Sequence, residues 1–139
     1  MSSATISLFL RRMLLANLFT ANSFPPLEAV YFALTRAVPV ANATGATLDE
    51  PTGGSYARAP YLVDGEHWTM TEYAQAYNSQ DVIFSQATDA WGYCQGYAVC
   101  TESTGGETLF VGRLTTPATI AAGMIPAIGA GNVYVELVD

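Results

Sequence analysis

The sequence has no lysine, one histidine and two cysteines, and charged residues make up only 12% of its 139 positions. That is about half the charged fraction usual for a soluble domain. Each shortage excludes something. The five basic residues are Arg11, Arg12, Arg36, Arg58 and Arg113, and against twelve acidic ones they leave a net charge of −7. No cationic footprint exists to hold phosphate backbones, so nucleic acid is not expected as a partner. The sole histidine, His67, sits between Glu66 and Trp68 in a stretch without clear periodicity. A hydrolase would have one plausible base and no recognisable nucleophile and orienting acid beside it. Cys94 and Cys100 with one histidine do not make a zinc set. On a single strand they would lie roughly 20 Å apart, beyond disulfide reach. Two free thiols are expected unless the chain folds back at Gly96, and free thiols suit a reducing compartment. Gly53-Gly54-Ser55 and Gly105-Gly106 lack the Lys that a phosphate loop needs. The acids near Asp49-Glu50 and Asp64-Glu66 lack calcium-loop spacing. The arginine pair interrupts the N-terminal apolar stretch, so no membrane span is expected. No catalytic, cofactor-binding or metal-ligating residue is nominated.

What is present is half apolar, and the length suits one domain. Thr5 to Thr20 reads as an amphipathic helix capped by Ser3 or Thr5, with Leu10, Met13, Leu14, Asn17 and Leu18 along one side and the arginines on the other. Pro25-Pro26 stops it. Glu28 to Arg36 alternates as a strand with Val30, Phe32 and Leu34 on one face. Residues 42–54 are loop. Ser55 to Val63 is a second strand, held to a sheet edge by Pro60. Asp64 to Ser79 supports neither period and is expected to be an extended excursion with room for a helical turn. Asp81 to Gln86 is a short strand.

Asp89 to Pro117 reads as a hairpin with a tight turn at Gly105-Gly106, where glycine accepts positive φ. Strict alternation would put Cys94, Gly96, Ala98 and Cys100 on one small-residue face and Tyr93, Gln95, Tyr97 and Val99 on the other. Short strands are expected around Thr119-Ile120 and Met124-Ile125, and a returning strand from Asn132 to Asp139. About seven short strands, one leading helix and no βαβ rhythm predict a mainly β fold. The expected architecture is an antiparallel β-sandwich or open barrel with one N-terminal α-helix. Residues 1–26 form a helix and anchoring arm, and 27–139 a single β-domain. A surface so poor in charge is explained most simply by other subunits covering it. The aromatics Trp68, Tyr73, Tyr77, Trp91, Tyr93 and Tyr97 suit either a sugar-stacking surface or core and interface, with the second favoured.

The order of these pieces resembles a known family. A Leu-rich helix, the strand Leu27 to Thr35 and an acidic loop precede Glu50-Pro51-x-x-Gly54-Ser55-Tyr56-Ala57-Arg58. Trp91-Gly92, an x-Gly-Gly-x turn, Leu109-Phe110-Val111-Gly112-x-Leu114-Thr-x-Pro117 and a closing Gly-x-Val-x-Val-x-Leu follow. Together they are similar to small virion proteins of tailed bacteriophages, of the tail-fibre, minor structural or capsid-decoration kinds. The resemblance implies a non-enzymatic virion protein without cofactors, assembled in the host cytoplasm and acting neither on nucleic acid nor on membranes. Its main implication is a minor capsid or decoration protein that stabilises the shell as a homotrimer or other cyclic oligomer, bound to the major capsid protein or to tail proteins. Leu10, Met13, Leu14 and Phe24 would anchor it, and Trp68, Tyr73, Tyr77, Tyr93 and Tyr97 would make contacts. The alternative is a tail-fibre or receptor-binding module with Trp68, Tyr73 and Tyr77 as a carbohydrate platform.

Overall fold

The computed structural model describes residues 4–21 and 26–136. The apolar alternation of the first predicted strand produces β2 (Ala29–Thr35), and the hairpin produces β7 (Gly92–Cys100) and β8 (Thr108–Ile120). With β1 (Thr5–Ile6) and β3 (Ala59–Leu62) they form an open antiparallel sheet in the order β1-β8-β7-β2-β3. Pro60 lies on the edge strand β3, where a missing N–H costs nothing. Among the described residues the chain is mainly β, with antiparallel sheets, one helix near the N-terminus and no closed barrel, which agrees with the expected class.

One face of this sheet is covered by a smaller antiparallel sheet of β4 (Trp68–Met70), β5 (Gln75–Asn78) and β10 (Tyr134–Glu136), in the order β10-β5-β4. A two-stranded ribbon of β6 (Val82–Ile83) and β9 (Ala127–Ile128) completes the layer. Val30, Phe32, Leu34, Tyr97, Val99 and Val133 are buried in the core between the layers. The excursion expected over 64–79 is therefore a hairpin. Its alternation is hard to see because the strands are short and both faces are partly covered. Met124-Ile125 is not a strand; β8 runs on to Ile120 and the next strand is β9.

The other face of the large sheet carries Ala33, Ala98, Cys100 and Val111, with Leu48 of the 37–50 loop packed on them. The small residues do admit a close layer, and that layer is the chain's own loop. Gly45 lies so near the β7–β8 loop that a Cβ there would meet the Gly105 carbonyl oxygen at 1.8 Å. The turn itself is longer than a two-residue hairpin. The ladder closes where Thr101 N–H donates to the Glu107 carbonyl at 2.9 Å. Gly105 and Gly106 do take positive φ, 61° and 71°.

The expected split of β7 into small and large faces fails at one place. Pairing with β8 steps from Cys94↔Ala118 to Gly96↔Arg113, so Leu114 to Pro117 arch out opposite Gln95. A bulge reverses the phase of side chains beyond it. Cys94 consequently shares the main core with Tyr97 and Val99, while Ala98 and Cys100 face the loop layer. The two thiols are free, buried and on opposite faces. Gly96 lies against Thr35, whose fully buried hydroxyl oxygen has no hydrogen-bond partner among the described residues. Thr35→Val keeps the shape and removes that orphan, and should raise stability by about 1 kcal/mol. In thermal melts this is an upward shift of roughly 3 °C; a lower midpoint would show that the hydroxyl is satisfied.

The N-terminal segment departs from the expected helix. Thr5 and Ile6 pair with Val111 and Phe110 of β8, and only then does α1 (Leu8–Phe19) begin. The cap is Ser7, not Thr5, and the proposed cap Ser3 lies outside the described residues. The Ser7 hydroxyl accepts from Leu10 N–H at 3.0 Å and donates to the Thr108 carbonyl, tying the helix start to β8.

Three motifs separated in sequence meet in one clamp. The Arg58 side chain, 3% exposed, uses all five guanidinium N–H groups. Nε and Nη2 hold the two Glu50 carboxylate oxygens at 3.0 and 2.9 Å. Nη1 donates to the Glu102 and Gly105 carbonyls at 2.8 and 2.9 Å, and Nη2 to the Gly45 carbonyl at 2.8 Å. The Tyr56 hydroxyl donates to Glu50 Oε1 at 2.6 Å and accepts from Leu34 N–H at 3.1 Å. The Tyr56 ring meets Trp91 edge-on at 5.1 Å, and Trp91 Nε1 donates to the Gly54 carbonyl at 2.9 Å. Burial, with the Glu50 hydrogen bond next, pushes the Tyr56 phenol far above its usual range.

Candidate functional site

Among the described residues, no three or more of the acids, cysteines and histidine gather at one place. Glu50 is engaged by Arg58, and Asp49 lies 3.4 Å from Arg36. His67 Nδ1 is 2.7 Å from Asp64 Oδ1 in a turn, and the ring packs edge-on against Tyr61 at 5.1 Å. Hydrogen bonding from His67 holds the exposed Asp64 carboxyl below its ordinary range.

The aromatic residues nominated from the sequence divide into three groups. Tyr97 is core: 2% exposed, with its ring folded over its cross-strand partner Gly112. A Cβ at Gly112 would come within 2.6 Å of the Tyr97 hydroxyl. Trp68 also turns inward. Its ring stacks with Phe32 at 6.3 Å and meets Tyr61 and Phe110 edge-on at 5.4 and 6.1 Å. Tyr93 is half exposed on β7, away from the others. Tyr73, 74% exposed, stands at the β4–β5 turn, and Tyr77 is half-buried on β5. The platform of Trp68, Tyr73 and Tyr77 is thus not a single surface, because Trp68 and Tyr77 lie on opposite faces of the same small sheet. On α1, Leu10 and Met13 are half-buried and Leu14 is exposed. Phe24 lies outside the described residues.

The register of the small sheet assembles a different face. Thr69, Tyr77 and Tyr134 are direct neighbours across β4, β5 and β10, and Gln75 is opposite Glu136. Trp68, Asn78 and Val135 point to the core, so alternation sends Tyr77, Tyr134, Gln75 and Glu136 outward. The two tyrosines, Gln75, Thr71 and Gly131 line a shallow depression of about 440 Å³. Gln75 Nε2 donates to Glu136 Oε2 at 2.8 Å, and the Thr71 hydroxyl lies 3.4 Å from Gln75 Oε1. Asn78 braces the layer from beneath, donating to the Gln80 and Gly129 carbonyls and accepting from Val133 N–H at 3.0 Å.

Two adjacent phenol rings offer flat apolar contact area with hydroxyl tips. The amide, carboxylate and hydroxyl beside them supply convergent polar groups. That combination suits a ligand with an apolar face and a rim of hydroxyls. Among the described residues that line the depression none is charged, and the Glu136 carboxylate reaches it through Gln75. Tyr134, Gln75 and Glu136 were not nominated from the sequence. The alternation over Asn132 to Glu136 marks a strand, but its partner across the sheet is invisible without the register.

No curated protein matches the chain. A family model described as Podophage GP4 fiber I protein gp80 matches residues 5–136. That span takes in both sheets, the clamp and the tyrosine face, and the chain therefore belongs to this tail-fibre type of tailed-phage virion structural protein.

Proposed function

We propose that this fibre-type protein works by contact and not by catalysis, and that the outer face of its small sheet binds a neutral carbohydrate of the host surface. The observation that carries the reading is the paired Tyr77 and Tyr134 over a depression flanked by Gln75, Glu136 and Thr71. The fibre description of the family supports a host-contacting role over the capsid-decoration role that the sequence first suggested. Assembly in the host cytoplasm fits the two cysteines. Burial pushes the Cys100 thiol up to about 11 and raises Cys94 as well, so both stay protonated and inert in a reducing compartment.

The test is binding of the purified protein to an array of bacterial surface polysaccharides and neutral oligosaccharides. Tyr77→Ala and Tyr134→Ala should each weaken binding by about tenfold or more, with melting midpoints close to wild type because both rings stand outside the core. An array without a single bound glycan, or binding indifferent to both substitutions, would sink the reading.

A further inference from the structure

The polar groups beside the tyrosine pair form one directed chain of hydrogen bonds. Thr71 and Gln75 close the β4–β5 turn: Thr71 N–H donates to the Gln75 backbone carbonyl at 2.8 Å, and Ala74 between them takes a left-handed φ of 60°. Tyr73 N–H donates to the Thr71 hydroxyl oxygen at 3.3 Å. That hydroxyl keeps its own proton for Gln75 Oε1, 3.4 Å away. On its other side Gln75 Nε2 donates to Glu136 Oε2 at 2.8 Å, across the β5–β10 pair in which the two residues are direct partners. The chain thus runs from the turn backbone through Thr71 and Gln75 and ends on a carboxylate.

The carboxylate settles which way the amide lies. An ionised carboxylate only accepts, so the NH2 end of Gln75 must face Glu136 and its carbonyl end must face Thr71. A hydrogen bond to an ionised group is about twice as strong as one between neutral groups, so Glu136 dominates the choice and Thr71 follows it. A side-chain amide has two N–H donors and two acceptor lone pairs. Glu136 takes one donor and Thr71 one lone pair, which leaves one N–H and one lone pair of Gln75 for a ligand. Gln75 lines the depression with Thr71, Tyr77 and Tyr134, and Glu136 acts on it from outside that lining.

We propose, resting on the glycan reading of this face, that Glu136 is a positioning residue: it locks the Gln75 amide in one orientation, and the locked amide reads two neighbouring hydroxyls of a pyranose whose apolar face lies on Tyr77 and Tyr134. One hydroxyl donates to the free lone pair of Gln75 Oε1, and its neighbour accepts the free N–H of Nε2. The amide presents acceptor and donor in a fixed order. A sugar with one of the two hydroxyls missing or inverted therefore leaves a polar group of the site unpaired, which is how a hydrogen-bonding site rejects the wrong ligand. Stacking on the rings needs only an apolar face. The rings hold the sugar, and the amide chooses it.

The experiment has two arms, both on the full-length protein. The first uses no sugar and follows the Nε2 protons of Gln75 by heteronuclear NMR. In wild type one of them should be displaced downfield by its bond to the carboxylate. Glu136→Gln has the same shape and lies outside the core, so it should melt near wild type and abolish that displacement. The second arm titrates the glycan bound best on the array, beside analogues with single hydroxyls of the bound sugar removed or inverted. Wild type should prefer the parent by about tenfold or more over analogues altered at either of two adjacent carbons. Glu136→Gln should still bind through the rings, with the preference reduced to about threefold or less, because its own amide donates or accepts and lets Gln75 turn over. In a Gln75→Ala background the same substitution should change nothing further, as a residue acting through Gln75 requires. Tyrosine-dependent binding that keeps the wild-type preference in Glu136→Gln overturns the positioning role and spares the glycan reading. So does a Gln75 signal identical in the two proteins. An array without a bound glycan, or binding indifferent to Tyr77→Ala and Tyr134→Ala, overturns both.

Discussion

Arg58→Met is expected to cost about 3–5 kcal/mol of stability, the range for removing one partner of a buried ion pair. The loss has several parts. The Glu50 carboxylate loses both of its guanidinium bonds and keeps the Tyr56 hydroxyl. The carbonyls of Gly45, Glu102 and Gly105 lose a donor, the first of them fully buried and the other two partly so. Those carbonyls belong to two loops that touch each other through glycine, so the loop layer over Ala33, Ala98 and Cys100 loses the group that ties it together. Arg58→Lys should recover only part of the loss, because an ammonium offers three donors from one point where the site uses five from a planar fork. Urea denaturation gives the magnitude. The double variant Arg58→Met with Glu50→Leu should be markedly more stable than Arg58→Met alone, since it removes the stranded carboxylate. An Arg58→Met protein within about 1 kcal/mol of wild type would mean that the loops hold without the clamp.

Trp68→Ala should cost about 3 kcal/mol, the low end for removing a large aromatic from a core. The low end applies because Trp68 is half-buried and its outer edge already meets solvent. Its inner ring face is in contact with Phe32, Tyr61 and Phe110, and all three would border the resulting cavity. The substitution also separates two views of the residue. A ligand platform would lose binding at constant stability. A core residue lowers the melting midpoint first, and any loss of binding follows from disturbance of β4 and its neighbours. An unchanged midpoint in Trp68→Ala would return this residue to the surface.

Those two residues show how far the sequence could be read. The strand β2 was legible because Val30, Phe32 and Leu34 repeat at the strand period with little interruption. The motif from Gly54 to Arg58 was recognisable as a unit, and so was Trp91-Gly92. That they form one clamp was not, because Glu50, Arg58, Trp91 and Gly105 come together only when the loops fold onto the sheet. The helix was found, but its start was misplaced by one strand. Thr5-Ile6 has the composition to continue a helix, and its capture by β8 is a tertiary pairing. Over 64–79 the turn of the hairpin and its short strands left too few residues for a period to emerge.

By itself the sequence determined the class: a mainly β chain led by a helix, and a family likeness carried by the order of its motifs. It did so because strand periodicity, turn residues and charge are local properties, written in neighbouring positions. Only the tertiary structure decided which side chains face out. In a strand that choice depends on phase, and a one-residue change in pairing reverses it. The bulge opposite Gln95 moved Cys94 into the main core, and the register of β5 with β10 set Tyr77 beside Tyr134 while turning Trp68 inward. Phase is set by long-range hydrogen-bonded pairing, and no window of the sequence contains both strands.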